Sequence, residues 1–251
     1  MSLLCYNAKT MEILFEDKDV VVINKPAGIM VHGDGRSEQE TVADWFVSVY
    51  PDSSVVGEDP IETKEGNIIT RPGIVHRLDK DTSGAMILCK RKESHAHIKE
   101  QFKNRTTKKT YHALVYGQMK QDEIMVDAAI GRSKTFAKWT AISKAMRGTA
   151  REAQTAIKVL DRFEGFSYVE AKPRTGRTHQ IRVHLQYLNY PILADSIYAG
   201  KRYDPNRPGD SLGFVRQALH AHKIIFTSLD DKEIEVIAPL PTDFENALSR
   251  D

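Results

Sequence analysis

Asp79 sits among cations in the stretch V-H-R-L-D-K-D-T-S-G from Val75 to Gly84, with His76 and Arg77 before it and Lys80 after it. Cations beside a carboxylate favour its charged form, in which it can act as a nucleophile or general base. The plainer reading is a turn tied down by salt bridges, and this segment alone leaves both readings open. A second stretch, P-R-T-G-R-T-H-Q-I-R (173–182), is a turn opening a helix. With Thr178 as its expected N-cap, its cations would make a helix end suited to a phosphate or carboxylate. Arg182 could equally be an ordinary surface arginine. N-K-P-A-G (24–28) reads as a strand end and a tight loop, while R-Q-A-L-H-A (216–221) introduces a last strand pair in which Leu219 alone reads as core.

The elements that must position these residues can be read from periodicity. Strands are expected over 12–16 and 20–25, then a helix from Thr41 to Tyr50 stopped by Pro51. Residues 52–70 are polar and turn-rich, a surface excursion without periodicity. A strand over 85–90 should follow the Asp79 segment, then a helix over 93–104 with Ile98 and Phe102 inward. Residues 109–116 alternate as a strand that puts Tyr111, Ala113 and Val115 on one face. Further strands are expected over 152–160, 168–172, 223–228 and 233–237, with a helix over 178–188 burying Ile181, Leu185 and Leu188. Runs of strands with few helices argue for α+β with a largely antiparallel sheet.

Composition bounds what such a chain can be. Its 251 residues are 41% hydrophobic, ample for a packed core. The apolar run Val20 to Ile23 is too short for a membrane span or signal core. Two cysteines, Cys5 and Cys89, fit a reducing compartment without a disulfide, so the sequon Asn104-Arg105-Thr106 is expected to be silent. The net charge of +2 conceals segregation: residues 1–70 hold 5 Lys/Arg against 13 Asp/Glu, residues 71–112 hold 11 against 4, and residues 132–182 hold 12 against 4. Clustered cations suit a polyanion, although solvated helix faces would look the same in sequence.

Six segments in order, N-K-P-A-G (24–28), H-R-L-D-K-D-T-S-G (76–84), K-K-T-Y-H-A (108–113), T-G-R-T-H-Q-I-R-V-H (175–184), P-I-L-A-D-S-I-Y (191–198) and R-Q-A-L-H-A (216–221), resemble the motifs of the RluA-type pseudouridine synthases. The resemblance spans roughly residues 11–240. It implies the pseudouridine synthase fold: α+β, a largely antiparallel mixed central sheet with flanking helices and loops, and an active-site cleft across the sheet. One catalytic domain over residues 1–251 is expected, without the N-terminal S4-type domain of many relatives. Asp79 would be the catalytic aspartate, Tyr111 the aromatic residue against the base and Arg182 the partner of the carboxylate. Arg77 would help displace the base and Leu219 would line its pocket. His76, Lys80, Arg177, His179 and Lys25 are further candidates for contact with RNA. Ala194 replaces the glycine usual before Asp195, which is expected to be a minor packing change.

The implied reaction explains these residue types. The N1–C1′ bond of a uridine breaks, the uracil turns, C5 bonds to C1′ and the C5 proton leaves. No atom is gained and nothing is oxidised, so a carboxylate suffices and neither metal nor organic cofactor is expected. Asp79 could attack C1′, add to C6 or remove the 2′ proton; the sequence leaves the three open. Tyr111 can stack on uracil, while an ordinary phenol near 10 is a poor base. The nucleotide must be flipped out of its helix, at about a few kcal/mol. The expected partner is structured ribosomal or transfer RNA, met in the cytoplasm by a monomer. A catalytically silent RNA-binding protein on the same fold is the competing reading. A kinase is excluded by the order H-R-L-D-K and the lack of an Asp-Phe-Gly segment. His95/His97 and His220/His222 lack neighbours at metal-ligand spacing.

Overall fold

The computed structural model describes residues 11–249 apart from 34, 36, 38, 64, 136–137 and 207–210, so Cys5 lies outside the described residues. The chain forms two compact units, one of residues 1–107 and 223–238, the other of residues 108–222 and 239–251.

In the first unit, β1 (Glu12–Glu16) and β2 (Val20–Lys25) form a hairpin whose turn is closed by Asp17, its Oδ1 accepting from the N–H of Asp19 and Val20 at 2.8 Å. Helix α1 (Val42–Val49) starts where expected, with Thr41 and Asp44 capping each other's backbone N–H. Pro51 ends that helix and begins a 3-10 turn over Pro51–Val55. The 52–70 segment therefore holds more order than its composition suggested, including the short hairpin of β3 (Ile61–Glu62) and β4 (Ile68–Ile69). Strand β5 (Ser83–Cys89) pairs antiparallel with β2 from Val20↔Cys89 to Lys25↔Gly84. All of its residues are buried, which explains a continuous apolar run in place of alternation. Helix α2 (Lys92–Asn104) buries Ile98 and stops at Arg105 in a left-handed conformation.

The second unit is built on four antiparallel strands in the order β6 (Lys108–Tyr116), β12 (Phe166–Pro173), β11 (Gln154–Phe163), β7 (Glu123–Asp127). A separate three-stranded antiparallel sheet places β8 (Ile130–Ser133) between β9 (Trp139–Thr140) and β10 (Met146–Arg151). Neither β7 nor this small sheet was expected from sequence, because β7 and β10 are mostly exposed, β8 and β9 are very short, and none of them carries apolar alternation. Helix α3 (Gln180–Tyr187) begins one residue later than the Thr178 cap implied. His179, at φ 55°, is left-handed and cannot belong to the helix, so Thr178 is not its N-cap.

Strand β13 (Leu219–Thr227) belongs to the second unit up to His222 and to the first from Lys223. There it pairs antiparallel with β14 (Glu233–Ile237), and α4 (Thr242–Leu248) ends the second unit. The first unit's core gathers Val20, Val22, Ile87, Cys89, Ile98, Ile224 and Phe226, and burial pushes the Cys89 thiol's pKa up. The second unit's core gathers the inward residues of β6, β11 and β12 with Ile181 and Leu185 of α3 and Phe244 of α4. Strands with few helices, and antiparallel pairing throughout each unit, make the fold α+β.

Candidate active site

Asp79 stands half-buried at the head of the turn that feeds β5, with buried Leu78 anchoring one side and exposed Arg77 and Lys80 flanking it. Its carbonyl accepts from the N–H of Thr82 at 3.1 Å, closing a four-residue turn. The turn is clamped from below. Lys25 is fully buried, and its ammonium donates to the carbonyls of Pro26 (2.7 Å), Ile29 (2.9 Å) and Lys80 (3.0 Å). The Lys80 carbonyl also accepts from the Gly28 N–H at 2.9 Å. These bonds compensate a buried charge and bind the 24–28 loop to the residue after Asp79. Lys25, expected at the RNA, is instead an internal brace, because an ammonium with no exposed surface cannot reach a phosphate.

His76 is half-buried and also ties the turn down. Its Nε2 accepts from the Ile87 N–H at 3.0 Å, and its ring stacks on Phe102 with centroids 4.6 Å apart. The imidazole thus joins the turn to β5 and α2, a packing role. Lys80 reaches outward, its Nζ donating to Gln39 Oε1 at 3.1 Å, and Arg77 is exposed.

In the second unit Arg182 is buried, with its side chain 5% exposed, and no surface arginine. Its Nε and one terminal nitrogen hold both oxygens of Asp195 at 2.7 and 2.8 Å, and the Asp195 side chain has no exposed surface. Asp195 Oδ1 also accepts from the N–H of Ile197 and Tyr198, both at 3.0 Å. The Arg182 guanidinium lies over the Tyr198 ring at 5.0 Å, and the Tyr198 hydroxyl meets His179 Nδ1 at 2.9 Å and accepts from the Trp139 N–H at 3.1 Å. His179 and Arg182 therefore meet on Tyr198. Sequence reasoning passed over Asp195 and Tyr198 although both lie in the P-I-L-A-D-S-I-Y motif; the signal was an acid and an aromatic three apart after an apolar run.

Ala194 differs from expectation. At φ 55° it is left-handed, so alanine in place of glycine strains the backbone there and is more than a packing change. Gln180 and His184 anchor α3 to β11. Gln180 Nε2 donates to the carbonyl of Gln154 and to Thr155 Oγ1, while buried His184 meets Thr155 Oγ1 and the Ala128 carbonyl. Burial lowers the His184 pKa, consistent with a neutral ring. Arg177 lies beside the small sheet, its Nε donating to the Glu152 carbonyl at 2.9 Å.

Tyr111 is half-buried in β6 opposite Ala171, in line with Ala113, so small neighbours flank the ring as the alternation predicts. Burial lowers the pKa of Lys109, two residues before it, to about 8. On the opposite face of β6, His112 stacks on His222 at 4.1 Å and meets the Tyr168 hydroxyl. Burial first, and then His222, lowers the His112 pKa to about 4. Leu219 is buried at the start of β13 and packs in the second unit's core. Among the described residues no three His, Cys, Asp or Glu are grouped to hold a metal ion, and no helix is long and apolar enough to cross a membrane.

Residues 19–187 match the family model of the RNA pseudouridylate synthases. An uncharacterised RNA pseudouridine synthase of Synechocystis is 35% identical over 240 residues, covering 95% of this chain and 68% of the relative. Another, from Bacillus subtilis, is 36% identical over 234 residues, covering 93% and 70%. The ribosomal large subunit pseudouridine synthase D of Neisseria meningitidis is 35% identical over 244 residues, covering 95% and 60%. Among solved structures, human RNA pseudouridylate synthase domain containing 1 superposes with a TM-score of 0.73 at 25% identity, covering 94% of this chain and 85% of that one. Human RNA pseudouridylate synthase domain containing 4 gives 0.71 at 26%, covering 94% and 91%. With its motifs, its fold and these likenesses in agreement, the chain belongs to the RNA pseudouridylate synthase family, isomerases that turn uridine in RNA into pseudouridine.

Proposed function

We propose that this chain isomerises specific uridines of structured ribosomal RNA, with Asp79 as the reacting carboxylate. The observation that carries the reading is the Asp79 turn itself: a half-buried acid between two exposed cations, braced from beneath by Lys25, within the family match. The brace holds the carboxylate's backbone still while leaving its flanks to the nucleic acid. In this scheme Asp79 reacts with the flipped-out nucleotide, Tyr111 stacks on the uracil and assists loss of the C5 proton, and Arg182 supplies the fixed cation. Arg77 displaces the base from its stack, and Leu219 contributes an apolar wall. Lys80, Arg177 and His179 hold phosphates. Ribosomal RNA is favoured over transfer RNA because one of the relatives is named for the large ribosomal subunit.

The whole chain works as one catalytic domain, a cytoplasmic monomer needing no cofactor, since the isomerisation neither gains atoms nor transfers electrons. The test is tritium release from RNA labelled at uridine C5, with wild type beside Asp79→Ala. Release by the wild type from ribosomal RNA and its loss in the variant are expected. No release from ribosomal or transfer RNA would overturn the reading in favour of a silent RNA-binding protein, and equal release by the variant would remove Asp79 from the reaction.

A further inference from the structure

The small sheet of the second unit carries charge that no acid answers. Between Asp127 and Glu152 the chain holds six Lys/Arg and no Asp or Glu. Arg132, Lys134, Lys138, Lys144, Arg147 and Arg151 are all exposed, and among the described residues none of them makes an ion pair. Elsewhere in the same unit exposed cations do find acids, as in Lys158 with Glu123 and Lys172 with Glu170.

Register sharpens the point. Arg132 of β8 lies directly opposite Arg147 of β10 on one side and directly opposite Trp139 of β9 on the other. Directly opposed residues send their side chains to the same face, so Arg147, Arg132 and Trp139 form one row across three strands. The Arg132 guanidinium lies over the Trp139 ring at 5.1 Å. The Trp139 ring also packs on the cluster of Ile130, Ala153, Val183 and Tyr198, which fixes its position. Every β10 residue after Met146 is exposed, so among the described residues no other element covers that strand.

Like charges directly opposite one another destabilise a sheet, and an anion bound between them removes that penalty. We propose that this three-stranded sheet is a dedicated RNA-holding surface, in which Arg132 and Arg147 grip the phosphate backbone and the Arg132–Trp139 stack receives an unpaired base. The inference rests on the reading of the chain as an RNA-modifying enzyme and assigns it a binding surface separate from the reacting residues. The chemistry favours RNA over an acidic protein. Guanidinium planes and a fixed aromatic ring suit stacked bases, whereas the sheet's one large exposed apolar residue among those described is Ile142, too little for the apolar centre of a protein interface.

The test uses the whole chain, a fluorescein-labelled ribosomal stem–loop RNA and anisotropy titrations over a range of KCl. For Arg132→Gln/Arg147→Gln, the slope of log Kd against log salt should fall by about 2, one per lost phosphate contact. KM should rise with kcat unchanged at saturating RNA. Lys158→Gln/Lys172→Gln removes the same charge from paired sites and should leave the slope near that of wild type. Arg132→Lys/Arg147→Lys keeps the slope under the proposal and loses it if the arginines serve only the sheet's geometry. An unchanged slope in the Gln variant, or a loss confined to kcat, overturns the inference and points to an acidic protein or to no partner. Tritium release with an unchanged slope sinks this inference and spares the isomerase reading. RNA binding with the reduced slope but no wild-type tritium release does the reverse.

Discussion

Removing the charge of Asp195 should show how firmly Arg182 is locked in place. The pair is bidentate, its two bonds are 2.7 and 2.8 Å, and the side chains are 5% and 0% exposed. Breaking a buried pair from one side costs about 3–5 kcal/mol, because the remaining charge loses its compensation in a medium that solvates it poorly. Asp195→Asn keeps Oδ1 for the N–H of Ile197 and Tyr198 but loses the charge and sets an NH2 donor against the Arg182 Nε–H, so a destabilisation of about 3 kcal/mol is expected. Asp195→Ala also strips those two N–H groups of their acceptor, adding about 1 kcal/mol each. Urea unfolding gives the free energies, and the Asn variant's melting midpoint should fall by about 6–12 °C for a chain of this size. Glu100→Ala, which breaks the exposed pair with Lys103, serves as the control and should cost under about 0.5 kcal/mol. A loss below about 1 kcal/mol for Asp195→Ala would refute the reasoning, since it would place the buried pair at the level of a surface one. In the folded Asn variant, kcat for tritium release should drop more than RNA affinity, as expected when a cation used in the reaction loses its orientation.

Lys25→Met removes the ammonium from three carbonyls around the Asp79 turn and should destabilise by about 3 kcal/mol. Tritium release should fall while RNA affinity changes less than about twofold; a stable variant with full kcat would show that the brace is dispensable. Ala194→Gly relieves a left-handed alanine worth about 1–2 kcal/mol, offset by about 0.4–1 kcal/mol of unfolded-chain entropy. A small net stabilisation in urea is therefore expected, and a destabilised variant would contradict the strain. His112 is faced by His222, His220, Tyr168, Glu170 and Lys172, and its pKa is lowered to about 4. The unfolded chain binds this proton near pH 6.5 and the folded chain does not, so its contribution to stability is present above pH 6.5 and is lost as pH falls towards 4. His112→Asn should flatten that limb of a stability–pH curve, and an unaltered limb would assign the acid sensitivity to other groups.

Short-range chemistry was legible in the sequence. The Asp79 segment, the strands Glu12–Glu16 and Val20–Lys25, the Thr41 cap and the alternation around Tyr111 all follow from neighbours a few residues apart, where backbone preference and periodicity act directly. The six motifs in order carried the family. Tertiary structure alone decided what each cation does. In sequence Lys25, His76 and Arg182 look as exposed as Arg77. Folding buries Lys25 beneath the Asp79 turn, turns His76 onto the Ile87 N–H and locks Arg182 to an aspartate thirteen residues away. It also lines up Arg147, Arg132 and Trp139, which are scattered along the chain and meet only through strand register. A charge's role depends on its burial and on the partners beside it, and both are set by contacts between segments that are distant in sequence.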